Sequence, residues 1–80
     1  MTYWQKFEEL RNDFAAKGDR YIVAEKKLSS ILGWGDSIEL TDMLEAKREF
    51  EDAAVRYHDF LSFVRENRIS PDQKYEQINA

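Results

Sequence analysis

The chain has no cysteine and a single histidine, His58, in 80 residues. The first absence excludes disulfide staples and thiolate metal sites, and the second excludes a multi-histidine centre within one chain. Proline occurs once, at Pro71, and glycine three times, at Gly18, Gly33 and Gly35, so strong helix breakers fall in few places. No apolar run approaches the ~18 residues of a membrane span. The first residues, Met1-Thr2-Tyr3-Trp4-Gln5-Lys6, lack the basic region and apolar stretch of a signal peptide, and a cytoplasmic location is expected. A chain this short buries only about 60% of its unfolded surface. With disulfides and thiolate metals excluded, self-association is the remaining common source of stability.

What is present suits a folded helical domain. Apolar residues make up 42% of the chain, charged residues 35% and aromatics 14%. Thr2 and Gln5 form a T-x-x-Q capping box, each side chain satisfying a backbone N–H of the other. From there seam positions step by four and three, all apolar but one lysine: Tyr3, Phe7, Leu10, Phe14, Lys17, Tyr21, Ala24, Leu28, Ile31. Such a seam over about four heptads predicts one long helix, about 3–32, continuous or bent at Gly18. Gly33 is the expected C-cap within the turn cluster Gly33-Trp34-Gly35-Asp36-Ser37. Asp36 and Glu39 offer a second capping box, and the positions Leu40, Met43, Lys47, Phe50, Ala54, Tyr57, Leu61 and Val64 predict a second helix, about 37–67.

Folding the two seams about the turn brings together residues whose numbers add to about 71. Phe7 then meets Val64, Leu10 meets Leu61, Phe14 meets Tyr57 and Tyr21 meets Phe50, while Lys17 and Lys47 fall opposite Ala54 and Ala24. Bulky residues opposite small ones are what packing requires. Ser70, Pro71 and Gln73 resemble a helix start, which predicts a short third helix, about 71–78, with Tyr75 and Ile78 on one side. The expected architecture is an all-α, single-domain antiparallel hairpin spanning 1–80. Phe7, Leu10, Phe14, Tyr21, Leu28, Phe50, Tyr57, Phe60, Leu61 and Val64 form its core and dimer contacts.

Apolar residues off the seam, among them Trp4, Ile22, Trp34, Ile38, Leu44, Val55 and Phe63, exceed what two helices cover. They predict a homodimer forming a four-helix bundle or a hydrophobic patch for another protein. The charge is uneven. Residues 36–52 carry seven acidic and two basic groups, against five and six in residues 1–35 and four of each in residues 53–80. Glu39, Asp42, Glu45, Glu49 and Asp52 recur every three or four residues, so they share a helix face. That stripe, with Trp34, is the expected contact for a basic surface of a protein partner, the bland alternative being a solvated face.

Other chemistry finds little purchase. His58 sits beside the seam, and the residue three before it, Val55, is no metal-binding glutamate. Gly33-Trp34-Gly35 is too short to cradle a phosphate. No cofactor or metal is expected. The architecture resembles that of the Rop RNA-binding hairpins, by shape and without a shared motif. Glu9-Leu10-Arg11 looks like part of the first helix of the helical chorismate mutases, but the surroundings of Leu28 lack the further arginine that family needs. The short, acidic, aromatic-rich, cysteine-free character is similar to phage-encoded inhibitors of host factors. A non-catalytic inhibitor or adaptor is therefore expected. One alternative is a nucleic-acid-binding dimer using Lys6, Arg11, Arg65, Arg68 and Lys74; another is a small dimeric enzyme with an intersubunit site.

Overall fold

A computed structural model of the chain describes residues 1–31 and 37–75. Two helices, α1 (Tyr3–Ser29) and α2 (Ile38–Glu66), pack against each other as an antiparallel hairpin. Helix α1 begins as its sequence dictates. Thr2 Oγ1 accepts from the Gln5 N–H, and the Gln5 side chain accepts from the Thr2 N–H at 2.7 Å. The helix runs through Gly18 unbroken.

The far end of α1 differs from expectation. It stops at Ser29, with Ser30 as C-cap, before the glycine cluster is reached. Ser29 and Ser30 donate their hydroxyls to the carbonyls of Lys26 and Lys27, and this side-chain competition for helix carbonyls favours an early end. Gly33, Trp34 and Asp36, on which the expected cap, turn and second capping box rest, lie outside the described residues. Ser37 is the N-cap of α2, its Oγ accepting from the Leu40 N–H at 3.1 Å.

The helices are held by aromatic rings that alternate between them. Phe7 of α1 lies 5.8 Å from Tyr57, Tyr57 lies 5.4 Å from Phe14, Phe14 lies 5.1 Å from Phe50, and Phe50 lies 5.7 Å from Tyr21. Trp4 extends the row at 5.1 Å from Phe7. Small residues let the helix backbones approach closely enough for the rings to mesh. Ala24, Ala46 and Ala53 are buried, and a Cβ on Gly18 would come within 3.1 Å of the Phe50 ring.

The pairing of Phe14 with Tyr57 and of Tyr21 with Phe50 follows the seam, but the inner stripe of α2 is turned from the one its heptads suggest. Ala46, Ala53 and Phe60 point inward where Lys47, Ala54 and Leu61 were expected; Lys47 is exposed and Leu61 is 39% exposed. The rotation keeps the Lys47 ammonium hydrated, which burial opposite Ala24 would not. Leu10 and Leu61 accordingly part company. Leu10 lines a groove with Phe60, and Leu61 lines the opposite groove with Phe7 and Val64.

No third helix forms over residues 71–75. This segment turns at Ser70, with the Gln73 N–H donating to the Ser70 carbonyl, and then runs back along the start of α1 with Lys74 bridged to Thr2. The first amides of a helix have no partner within it. Here Tyr3 N–H donates to the Gln73 carbonyl at 2.9 Å, Trp4 N–H to the Pro71 carbonyl at 3.1 Å, and Tyr75 N–H to the Met1 carbonyl at 3.0 Å. A helix over 71–78 would have consumed those carbonyls. Tyr75 closes the end by packing edge-on to Tyr3 at 5.2 Å, and Tyr3 stacks on Phe60. Ile78 lies outside the described residues.

Helix α2 ends in a Schellman motif. The Arg68 N–H donates to Arg65 and the Ile69 N–H to Val64, with Arg68 at φ 50°. That left-handed conformation costs a non-glycine residue about 1 kcal/mol. Replacing Arg68 by glycine is expected to raise stability by about 1 kcal/mol, a gain of roughly 4–8 °C in melting temperature, read by thermal denaturation. Phe50→Ala removes the ring that touches Phe14, Tyr21 and Gly18. It is expected to cost about 2–3 kcal/mol in urea unfolding, somewhat below a fully buried phenylalanine because Phe50 is only half-buried.

Candidate functional site

The hairpin has two unlike flanks. On one, charged side chains span the helices. Arg20 of α1 reaches over to both Asp42, at 3.3 Å, and Glu49 of α2. Arg56 of α2 reaches back to Asp13 at 3.4 Å, and Asp13 also meets Lys17 at 3.5 Å. The Arg20 guanidinium is held above its ordinary pKa, first by its hydrogen bond to Glu49. It stays charged at any physiological pH. Toward the ends of the chain this flank opens into a groove of about 570 Å³ lined by Tyr3, Lys6, Leu10, Arg56, Asp59, Phe60, Phe63 and Tyr75.

The opposite flank carries the open edge of the aromatic row. Its groove, lined by Trp4, Phe7, Leu61, Val64, Ile69 and Pro71 among others, is almost wholly apolar. Every ring of the row is half-buried or, for Trp4, 49% exposed. The outer side of α2 presents further apolar side chains: Ile38 is 82% exposed, and Leu44 and Val55 are exposed as well.

The acidic stripe is divided by this geometry. Asp42 and Glu49 sit at the helix–helix rim and are occupied by Arg20, and Glu39 is half-buried in the first turn of α2. Glu45 and Asp52 are exposed and enter no ion pair among the described residues. Glu45 borders a shallow surface hollow with Thr41, Leu44 and Arg48. Trp34 lies outside the described residues. His58 is exposed, beside Asp59 at 4.0 Å. Of the basic residues considered for nucleic acid, Lys6 and Lys74 lie at the end closed by Tyr75, with the Lys6 ammonium 5.5 Å from the Tyr75 ring, and Arg11 sits over the Phe7 ring.

Arg20, Arg56 and Asp13 were not singled out in the sequence, although a signal was available. Arg20 with Glu49 and Asp13 with Arg56 obey nearly the same pairing that matches Phe14 to Tyr57. Among the described residues no group of three or more His, Asp or Glu is placed to hold a metal ion. No described helix is long and apolar enough to cross a membrane. Compared with known proteins, the chain matches no family model, no curated protein and no solved structure.

The pairs made by Arg20 are solvent-exposed, so salt should screen them. Arg20→Ala is expected to lower the melting temperature slightly in dilute buffer, and the difference from the parent chain should vanish near 1 M salt, where the Debye length is about 3 Å.

Proposed function

We propose that the chain is a non-catalytic protein-binding module, an inhibitor or adaptor, that docks the outer acidic side of α2 on a basic surface of a protein partner. The observation that carries this reading is the pairing pattern of the stripe. Arg20 bridges Asp42 and Glu49, whereas Glu45 and Asp52 are exposed and enter no ion pair among the described residues, and Glu45 borders a hollow with the exposed Leu44. Like charges a turn apart weaken a helix by a few tenths of a kcal/mol per pair. A carboxylate that serves no internal bridge beside an exposed apolar side chain matches the polar rim and apolar anchor of an ordinary protein interface. Charge complementarity would set encounter rate and register, and Leu44 would supply buried area. Cytoplasmic action and a phage-type inhibitory role fit the composition and remain part of the proposal.

The module is further proposed to act as a homodimer, a four-helix bundle made from two hairpins. Its thin core supports this, since no large side chain among the described residues is fully buried.

The partner is to be captured with the native chain and identified by mass spectrometry, then titrated against the Glu45→Lys plus Asp52→Lys variant. Neither residue serves an internal bridge among the described residues, so the fold should be kept. Affinity is expected to fall at least tenfold with a weaker dependence on salt. Unchanged affinity in the folded variant would make the stripe a solvated face.

A further inference from the structure

We infer that the apolar flank, bearing the open edge of the aromatic row, is where a second copy of this chain docks, and that the two hairpins lie head to tail across it. The inference rests on the homodimer proposed above and names its face and order.

The flank is built as a rectangle. Trp4 and Ile22 lie eighteen residues apart on α1, about five turns of 3.6 residues, so they project in the same direction. Met43 and Leu61 are related in the same way on α2. Trp4 and Leu61 share one groove, so the antiparallel hairpin sets Ile22 beside Met43 at the other end, roughly 27 Å away. Between these bulky corners Gly18 and Ala54 leave the rings of Phe14 and Phe50 half-buried, and Arg11 lies over the Phe7 ring.

The area fits a dimer. The chain exposes 6384 Å², about 1,300 Å² more than the roughly 5,000 Å² of a compact 9.5 kDa monomer. A stable interface removes about 800 Å² from each partner, and obligate dimers remove 1,000 Å² or more. The radius of gyration, 16.8 Å, likewise exceeds the about 12 Å of a compact chain this long. The opposite flank is a poor candidate for the same role. Covering it would strip water from the Arg20, Asp42, Glu49, Asp13 and Arg56 pairs without supplying new partners.

Charge decides the order. Residues 36–52 hold seven acidic and two basic groups, while the remaining segments are close to neutral. Hairpins stacked the same way round would place two strongly acidic ends together. Head to tail, α1 faces the α1 of the second copy, the acidic ends lie far apart, and Trp4 of one copy meets the Ile22 corner of the other.

The absence of cysteine makes the test direct, since one introduced thiol takes one label. Sedimentation of the parent chain at micromolar concentration should give twice its mass. Ile22→Glu should shift it to monomer, whereas Val55→Glu, on the outer side of α2, should leave the dimer intact. A spin label at Lys26→Cys, near the acidic end and off the interface, should show a separation between copies of about 40 Å, against under about 25 Å for the same-way order, at a rise of 1.5 Å per residue. This reading is taken on an otherwise native face, so it stands even if Ile22→Glu fails to fold. A parent monomer would overturn the dimer itself. A dimer lost in Val55→Glu but kept in Ile22→Glu would overturn the face alone, and the short separation would overturn the order alone.

Discussion

The interlocking of aromatic rings from opposite helices is the constraint on which the rest of the molecule depends. Each of Phe7, Phe14 and Tyr21 is answered by a ring of α2, Tyr57 or Phe50, at 5.1–5.8 Å. A slip of one helix along the other would unmatch the whole row at once. The row therefore fixes both the direction and the register of the hairpin. It also favours glycine at position 18, where a Cβ would come within 3.1 Å of the Phe50 ring. A row of rings between only two helices cannot be covered on every side, so what stabilises the hairpin also leaves it with one apolar flank.

Register in turn distributes the charge. Once Phe14 and Phe50 are matched, Arg20 falls within reach of Asp42 and Glu49, and Arg56 within reach of Asp13. These exposed bridges add little energy individually, but they commit one flank to ionic contacts within the chain. The outer side of α2 is left with carboxylates that enter no ion pair among the described residues and with exposed aliphatic side chains. The three surfaces thus differ in chemistry, one apolar, one internally paired and one acidic, although each is made from the same two helices.

Much of this was legible in the sequence. The Thr2–Gln5 capping box, two long helices and the matches of Phe14 with Tyr57 and Tyr21 with Phe50 follow from local spacing and from the requirement that facing residues fit. What the spacing missed has physical reasons. A heptad idealises a period that is closer to 3.6 residues, and hydration of Lys47 tips α2 toward an Ala46, Ala53 and Phe60 stripe. Ser29 and Ser30 end α1 early through bonds to their own backbone, a competition that a search for glycine does not detect. Ser70, Pro71 and Gln73 carry a helix signature whose carbonyls are claimed by distant amides instead. At the candidate site the acidic periodicity was visible, but its division emerges only when the two seams are paired, because Arg20 is 22 and 29 residues from the carboxylates it holds.

The pairing of residues 71–75 with the start of α1 also bears on how the chain folds. Nearly all other contacts are made within a helix or across a hairpin that closes from its connection outward. The bond from Tyr3 to Gln73 joins groups seventy residues apart in sequence. Closing so long a loop in an unfolded chain carries an entropic cost that grows with length, and the cost becomes small only after α1 and α2 have zipped together and brought the two ends into register. On that ground the strap of residues 71–75 is expected to order last and release first. Amide exchange at Tyr3 and Trp4 would follow that local opening, well ahead of the amides around Phe14 and Phe50, where exchange awaits separation of the helices.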